Sequence, residues 1–376
     1  MVDVFEVADA LVSHAVENYG DEVDLIAFYG SHARGDARPG SDLDFFYTPR
    51  DGKRPPIGRT FLLDGLLFDF WELGWETLRG FATGTIRGWA FAPALVRQAT
   101  PLHVRSPAQA DRLASLKEES RALERPECRP EMQRRARDAF AHAVERLGRL
   151  HLASRGRRSD VSCAAWGLVH AVWECLALVN QVTFERGFHR ALAEPERLAA
   201  RPPRLLELIG TMTTSPVADR VLCAADELVA STRRILQAGE PTRPAKRSVR
   251  AAFDQVYPEM RDIVRKLLRA CADGDEVAAS LEAYSLQTDV TSILRDSLEG
   301  PVNERWAPYG EGAAAYVQAG FPDLMALASG PLDILAAASR RLDDHLRSFL
   351  RDHGVSCCEF ATVEELRSAL QQVSPP

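Results

Sequence analysis

AFYGSHARGDARPGSDLDFF, residues 27 to 46, joins two short apolar segments through a turn that is rich in glycine and charge. The run Asp24–Tyr29 is typical of a strand, and Leu43–Tyr47 is a second such run. Between them, Gly30 permits close approach of the backbone to a ligand. Ser31 adds a hydroxyl and a backbone N–H, and both suit a phosphate oxygen. The stretch therefore predicts a strand, a phosphate-binding turn and a second strand.

Three aspartates accompany this turn. Asp42 and Asp44 stand two residues apart at the start of the second strand, so both side chains project from one face. Two carboxylates on one edge can share a pair of hard divalent cations. Asp69 lies in a later apolar run between two phenylalanines, where a charge is costly to bury unless a metal or partner compensates it. The pattern predicts a metal site made by these three carboxylates.

The flanking sequence predicts a small mixed α/β domain over residues 1–115. Val4–Tyr19 has the apolar spacing of a helix, and Tyr19-Gly20-Asp21 ends it. Thr60–Leu73 carries Asp64-Gly65 between two apolar segments, which is a strong hairpin signal. The order is helix, strand, turn, strand and hairpin.

Beyond this domain the strand signals fade and helical spacing dominates. We expect a helical domain over residues 116–240, a linker at Gly239–Arg247 and a C-terminal helical region over residues 241–376. The predicted fold class is therefore α/β plus all-α, a small mixed-sheet domain followed by a larger helical region. The predicted helices are Ala108–Leu123, Pro130–Ser154, Val161–Arg186, Pro203–Thr213, Val217–Gly239, Ser248–Ala272, Glu276–Leu298, Gly310–Ala319 and Pro331–Asp352.

Composition limits the class of protein. The 376 residues are 46% hydrophobic and carry a formal net charge of −7, which argues against a dedicated nucleic-acid binder. The seven cysteines have no zinc-site spacing, as expected for thiols in a reducing compartment. The N-terminus lacks the features of a signal peptide, and no apolar run approaches the roughly 20 residues that span a bilayer. We expect a cytoplasmic protein with no membrane contact.

The pattern G-S-x-A-R-G, followed by S-D-x-D and a later strand aspartate, resembles the DNA polymerase β nucleotidyltransferase superfamily. Within it, the sequence is most similar to the minimal and the aminoglycoside (kanamycin-type) nucleotidyltransferases. The motif resemblance covers about Leu25–Leu73, and the remainder resembles these proteins in architecture only. The matching residues are Gly30, Ser31, Ala33, Arg34, Gly35, Ser41, Asp42 and Asp44.

The resemblance implies a magnesium-dependent transfer of a nucleoside monophosphate from a nucleotide triphosphate, with ATP the expected donor. In that superfamily two metal ions align a hydroxyl for in-line attack on the α-phosphorus, and pyrophosphate leaves. By this resemblance Asp42 and Asp44 bind both Mg²⁺ ions and Asp69 binds the nucleophile-side ion. Gly30 and Ser31 would hold the triphosphate.

The arginines allow two interpretations each. Arg34 and Arg38 flank the turn, where they would contact the triphosphate. Alternatively, Arg34 braces the turn by bonding backbone carbonyls. The arginine-rich stretch Arg121–Arg158 would bind RNA or another polyanion, or it is a solvated helix face of mixed charge, which the acidic overall balance favours.

A general base is sought in the apolar helix predicted over residues 161–186. His170, Glu174, Gln181 and Glu185 fall on one side of that helix, at spacings of four and eleven residues. In kanamycin-type enzymes a glutamate of the helical domain takes the acceptor's proton. The resemblance makes Glu174 the candidate base and Glu185 the reserve. The alternative is that this polar stripe faces solvent or an interface.

Three classes of function remain open at this point. The first is transfer of AMP to a small hydroxylated acceptor such as an aminoglycoside, which would confer antibiotic resistance, and whose pocket should be acidic because these drugs are polycations. The second is nucleotidylation of RNA or protein, as in some toxin–antitoxin nucleotidyltransferases. The third is a non-catalytic nucleotide-binding regulator. By resemblance to the kanamycin-type enzymes, a homodimer is expected.

Overall fold

A computed structural model of the protein describes residues 3–38, 40–186, 192, 194, 197–238, 247–253, 256–298, 315–355, 357, 362–365 and 367. Contacts between residues divide the chain into two units, Met1–Gly239 and Glu240–Pro376. Most of the linker that the sequence predicts, residues 239–246, lies outside the described residues.

A five-stranded mixed sheet forms the first part of the N-terminal unit. Its strands are β1 (Val23–Tyr29), β2 (Leu43–Pro49), β3 (Arg59–Leu63), β4 (Leu66–Glu72) and β5 (Thr100–Val104). In the sheet they stand in the order β3-β4-β2-β1-β5. Strands β2 and β4 run parallel, and every other neighbouring pair is antiparallel. The predicted sheet and hairpin are confirmed. Strand β5 was not predicted, because it is a short edge strand that contains a proline.

One face of the sheet packs against helix α1 (Val4–Tyr19), whose bounds are those predicted. Asp3 caps this helix by accepting from the N–H of Phe5 at 3.0 Å. Ala8 and Ala15 of the helix pack in one core with Ile26 of β1 and Phe45 of β2. The alternation of β-strand side chains sends the neighbouring residues to the opposite face.

Three helices cover that opposite face. They are α3 (Trp75–Ala82), α4 (Ala92–Gln98) and α5 (Pro107–Ala122), and they follow the short helix α2 (Ser31–Arg34) of the turn after β1. Ala27 and Phe46 of the sheet share a core with Leu78, Val96 and Leu113 of these helices. The sheet is therefore covered on both faces. The last residue of β1 and the first residues of β2 lie at the same end of the sheet.

The N-terminal unit continues with α6 (Arg129–Ala153), α7 (Arg158–Asn180), α8 (Leu205–Thr214) and α9 (Ala218–Ala238). With the sheet domain before them, these helices confirm the predicted fold class. Among the described residues, α7 is the helix long and apolar enough to cross a membrane, and 56% of its most apolar window is buried within the protein. Core helices of soluble proteins have this character.

The predicted end of this apolar helix at residue 186 was wrong. Helix α7 stops at Asn180 because Gln181 adopts the left-handed conformation, with φ 52° and ψ 43°. The Gln181 side-chain amide donates to the backbone carbonyls of Leu123 at 3.1 Å and Arg125 at 2.9 Å. Glu185 therefore does not share a helical face with Glu174.

Arg97 at the end of α4 joins the sheet domain to the helices that follow. Its side chain is only 14% exposed and forms an ion pair with Glu124 at 2.6 Å. It also donates to the carbonyl oxygen of Ser120 at 2.8 Å and to the hydroxyl of Thr183 at 3.0 Å. All of these partners come later in the chain than residue 115, so the charge of Arg97 is compensated from outside the sheet domain.

The C-terminal unit is helical where it is described. Its helices are α10 (Val249–Phe253), α11 (Tyr257–Asp273), α12 (Glu276–Leu298), α13 (Leu324–Leu327) and α14 (Leu332–Asp352). The single helix predicted over residues 248–272 is two helices, and Pro258 stands in the first turn of α11, where proline is favoured. Residues 310–314 of the helix predicted over 310–319 lie outside the described residues.

Candidate active site

A row of polar side chains crosses four strands of the sheet. Tyr29 of β1 pairs with Asp44 of β2, Asp44 pairs with Asp69 of β4, and Asp69 pairs with Thr60 of β3. Residues directly opposite each other on neighbouring strands point to the same face. The Thr60 hydroxyl donates to Oδ1 of Asp69 at 2.6 Å. The parallel pairing of β2 and β4 thus brings the second and third predicted carboxylates side by side.

The electrostatics of Asp44 show that the three aspartates act on one another. The pKa of Asp44 is raised from 3.8 to about 6, first by burial and then by the negative charges of Asp42 and Asp69. Arg34 and His32 oppose this shift only in part. Burial, followed by the charge of Asp44, also raises the pKa of Tyr29. The row therefore holds excess negative charge that a cation would neutralise.

The donor set fits a metal ion that is completed by substrate. Among the described residues, no group of three or more His, Cys, Asp or Glu side chains is arranged to hold a metal ion by itself. Mg²⁺ usually binds through one or two carboxylates together with substrate phosphates and water, and not in a cage made by protein alone. Asp42 and Asp44, with Asp69 beside them, offer hard oxygen donors of that kind.

The turn before these carboxylates needs glycine at its first position. Gly30 has φ 78° and ψ −148°, a conformation that L-residues rarely adopt. A Cβ at this position would lie 2.9 Å from Oδ2 of Asp44. The backbone of the turn therefore lies directly against the carboxylate row, and Ser31 follows at the first position of α2.

These residues line a cleft of about 590 Å³. Its lining includes the turn residues Gly30 and Ser31 and the carboxylates of Asp42 and Asp44. The aromatic rings of Tyr29, Trp71, Phe81 and Phe91 form much of the remainder. Pockets of this size, with an apolar lining and a few convergent polar groups, are typical of small-molecule sites. Asp69 does not line the cleft itself but stands next to Asp44 in the row.

Two arginines of the cleft are already engaged. Arg34 forms an ion pair with Asp36 at 3.1 Å and donates to Oε1 of Gln98 at 3.0 Å and to the carbonyl oxygen of Glu185 at 2.9 Å. Arg186 forms an ion pair with the other oxygen of Asp36 at 3.4 Å. Arg34 therefore braces the turn against the segment after α7, and because it also lines the cleft, its contact with the triphosphate stays a prediction.

Arg87 is a cleft residue that the sequence analysis missed. Its guanidinium lies over the rings of Trp71 and Phe81, at 5.8 Å and 5.6 Å from their centroids. It forms no ion pair within the part of the chain that the structure describes. In the sequence, the adjacent Gly88 is the one local sign of unusual backbone, and it does not point to the cleft.

The structure does not bring Glu174 to the cleft. Its Oε1 accepts from the N–H of Trp89 at 2.6 Å and its Oε2 accepts from the N–H of Ala90 at 2.8 Å. Glu185, the reserve candidate, lines the cleft with an exposed side chain and lies 3.6 Å from Nη1 of Arg197. His170 is exposed on α7, so the predicted polar stripe does not converge on one site.

Comparison with known proteins agrees with this geometry at the level of the domain. The family model of the nucleotidyltransferase domain matches residues 11–79, which contain the glycine turn and all three aspartates. This match supports nucleotidyl transfer as the general activity, with a nucleotide triphosphate as substrate. Domains of this family generally use a divalent metal.

Two further comparisons complete these findings. A search of curated proteins found no match. Among solved structures, the protein is similar to a nucleotidyltransferase-like protein from Exiguobacterium sibiricum 255-15, at 16% identity and a TM-score of 0.39. That similarity covers 68% of this chain and 80% of the other.

Proposed function

We propose that the protein transfers a nucleoside monophosphate, with AMP from ATP as the expected case, to a hydroxyl of a small molecule. The observation that carries the proposal is the pairing of Asp44 with Asp69 beside Gly30 and Asp42, inside the segment that matches a nucleotidyltransferase domain. The cleft at this row has the size and the aromatic lining that a nucleotide requires.

Each residue has a role in this proposal. Asp42, Asp44 and Asp69 would hold two Mg²⁺ ions, which would polarise the α-phosphate and lower the pKa of the acceptor hydroxyl. Gly30 and Ser31 would position the triphosphate so that pyrophosphate leaves in line with the attacking oxygen. The aspartate charges repel one another when no cation is bound, and this repulsion favours the binding of a metal–nucleotide complex.

We assign to Glu185 the role of the general base that takes the proton of the acceptor hydroxyl. Glu174 does not line the cleft, and backbone N–H groups hold both of its oxygens at the segment of residues 83–91, so it is not placed to take a proton of the substrate. Besides Asp42 and Asp44, which we assign to the metal, Glu185 is the carboxylate that lines the cleft within the described residues. A general base must reach the proton that it abstracts, and exposure of Glu185 to the cleft permits this.

An acceptor that carries positive charge suits this cleft. Asp42 and Glu185 are exposed carboxylates of the lining. Asp42 forms no ion pair within the described residues, whereas Glu185 lies 3.6 Å from Nη1 of Arg197 and Asp36 is shared by Arg34 and Arg186. Exposed carboxylates attract polycations such as aminoglycosides. We therefore favour a hydroxylated cationic small molecule of the aminoglycoside class as acceptor, and antibiotic modification as the role, in a cytoplasmic enzyme that forms a homodimer.

Nucleotidylation of RNA or protein is the second candidate. It would use the arginine-rich stretch of α6 as a docking surface, but two arginines of that helix are paired with carboxylates of the helix itself. Arg134 bonds Glu131 at 2.7 Å and Asp138 at 3.3 Å, and Arg149 bonds Glu145 at 2.6 Å. Such pairs are typical of a solvated face, which supports the small-molecule acceptor. A non-catalytic nucleotide-binding regulator is the third candidate.

Pyrophosphate release tests the proposal. The protein is incubated with Mg²⁺ and each of the four common ribonucleoside triphosphates, against a panel of aminoglycosides and other hydroxylated antibiotics. We expect release that requires one antibiotic and is lost in Asp44→Asn. Silence across the panel with retained triphosphate binding would exclude the antibiotic and redirect the search to RNA or protein acceptors. Binding without release on any acceptor would favour the regulator.

A further inference from the structure

Glu174 holds a backbone segment that ends at the cleft. The segment of residues 83–91 links α3 to α4, and Glu174 on α7 accepts the N–H groups of its Trp89 and Ala90. The fit at Gly88 is close, because a Cβ there would lie 2.8 Å from Oε2 of Glu174. One carboxylate of the helical part thus fixes three consecutive residues of this segment.

Further bonds hold the same segment at both ends. Arg135 of α6 donates to the carbonyl oxygen of Thr83 at 2.8 Å. The N–H of Phe184 donates to the carbonyl oxygen of Ala90 at 2.8 Å. The ring of Trp89 is fully buried, with the guanidinium of Arg135 at 5.9 Å from its centroid. We call the bonds of Glu174, Arg135 and Phe184 to this segment the 83–91 clamp.

The clamp presents Arg87 to the cleft in a costly conformation. Arg87 has φ 58°, and the next residue, Gly88, has φ 82°. A left-handed arginine is strained, and it persists only where the surrounding structure enforces it. The guanidinium is exposed and lies over Trp71 and Phe81 in the cleft wall. The positive charge of Arg87 also acts to lower the pKa of Tyr29, whose partner in the sheet is Asp44.

Arg87 differs from the other cleft arginines in its charge balance. Arg34 and Arg186 are both paired with Asp36. Within the described residues, Arg87 has no carboxylate partner, and it lines the same cleft as Gly30 and Ser31 of the glycine turn. A cation without a partner suits an anion bound in the cleft, and the substrate class proposed above carries a triphosphate.

We propose that Arg87 binds the phosphates of the nucleotide and that Glu174 is the positioning residue that holds Arg87 in place through the 83–91 clamp. This inference rests on the proposed function, whose triphosphate it assigns to a further residue. It replaces a proton-transfer role for Glu174 with a mechanical one. The helical part then takes part in substrate binding by fixing the backbone on either side of Arg87.

The mechanical half is tested by amide hydrogen exchange on the whole chain without nucleotide. In Glu174→Gln we expect faster exchange at Trp89 and Ala90, by about tenfold or more, with unchanged exchange in β1 and β2. In Gly88→Ala the new methyl group would press on the Glu174 carboxylate, so the same two hydrogen bonds should weaken and the same two amides should exchange faster. Glu145→Gln, an exposed change on α6, is the control. Unchanged protection of both amides in both variants would overturn the clamp.

The ligand half is tested by calorimetric binding of inorganic triphosphate and of a non-hydrolysable ATP analogue, each with Mg²⁺. Arg87→Ala should weaken both ligands by about tenfold or more, and Arg87→Lys should lose less. Glu174→Gln should also weaken them, but add little once Arg87 is already alanine. This lack of further loss is expected only if Glu174 acts through Arg87.

The outcomes separate this inference from the proposed function. If the wild-type protein binds both ligands and Arg87→Ala binds them equally well, the role of Arg87 is overturned while the proposed function stands. If the losses of the two single variants multiply in the double variant, Glu174 does not act through Arg87. If the wild-type protein binds neither ligand, the proposed function fails together with the phosphate role, and hydrogen exchange alone decides the clamp.

Discussion

Gly30 lies against the carboxylate of Asp44, so closely that a side-chain carbon on Gly30 would stand 2.9 Å from Oδ2. The contact joins the turn after β1 to the first residues of β2, which pair with β1 in the sheet. The backbone that we propose to bind phosphate and the carboxylate that we propose to bind metal are thereby placed at one point. Any movement of either one displaces the other.

Gly30→Ala should therefore reduce nucleotidyl transfer by about a hundredfold or more, since the new methyl group pushes Asp44 aside and 1 Å errors at a reaction centre have effects of this size. Gly35→Ala is the matched control. Gly35 also has a positive φ, 75°, but nothing lies within 4 Å of its Cβ position. Gly30→Ala should lose more stability on thermal unfolding than Gly35→Ala, whose left-handed backbone accepts a side chain at lower cost, so activity is compared at a temperature at which both variants are folded. Under that condition only Gly30→Ala should lose activity. Equal activity in the two would contradict this account.

Asp44→Asn should stabilise the metal-free protein at neutral pH. The pKa of Asp44 is raised to about 6 from 3.8, so the folded state binds its proton more tightly than the unfolded state does. The free energy of unfolding of the wild type therefore falls as pH rises between these two values. After allowance for solvent screening, Asp44→Asn should gain about 1–2 kcal/mol above pH 6.

Urea unfolding with a chelator, between pH 3.5 and pH 8, checks this prediction. The gain should disappear below a pH of about 4, where Asp44 is protonated in both states. Asp111→Asn, a change at an exposed position of α5, serves as the control. A gain for Asp44→Asn that is the same at every pH would show that the charge of Asp44 is not its cause.

Thr60→Val should lower the turnover number by about tenfold with little change in the binding of the nucleotide. The Thr60 hydroxyl donates to Asp69 at 2.6 Å, and an outer-shell bond of this kind orients a metal ligand. Steady-state kinetics separate the two parameters. Thr214→Val removes a similar hydroxyl bond on α8, to the carbonyl of Gly210, and should leave both unchanged. Unaltered kinetics in Thr60→Val would place Asp69 outside the reaction.

Glu185→Gln should lower the turnover number by about a hundredfold or more, because general-base catalysis contributes that much. Binding of the non-hydrolysable nucleotide should be unchanged. A variant that keeps the wild-type rate would remove Glu185 from the mechanism and leave the acceptor hydroxyl without an assigned base.

The sheet and its carboxylates could be predicted because their signals are local. Alternating apolar residues, the Asp64-Gly65 turn and the short interval from Gly30 to Asp44 all act within a few residues. Helices α1 and α12 were predicted with the bounds that the structure has, since a glycine turn adjoins each of them, at Gly20 after α1 and at Gly274 before α12. The sequence predicted that Asp44 and Asp69 share a site, but it could not give their direct pairing, because a parallel register is set by packing and not by a turn.

The helical contribution to the site could not be predicted by the same means. Helical periodicity put Glu174 and Glu185 on one face, but Gln181 ends the helix between them with a left-handed conformation. That conformation depends on carbonyls of Leu123 and Arg125, which are distant in the sequence. Arg87 was missed for a similar reason, because its place over Trp71 follows from the 83–91 clamp and not from any nearby motif.

The environment of Arg97 bears on whether the sheet domain is a portable module. A chain cut after residue 115 would keep Arg97 but lose Ser120, Glu124 and Thr183, which accept hydrogen bonds from its guanidinium. In the whole chain this guanidinium is only 14% exposed. The cut would expose it to water, but a new partner that buried it again without these acceptors would destabilise the fold by about 3–5 kcal/mol, because a buried charge would be left unpaired. Grafting this domain onto other acceptor-binding partners would therefore require them to bring a carboxylate for Arg97.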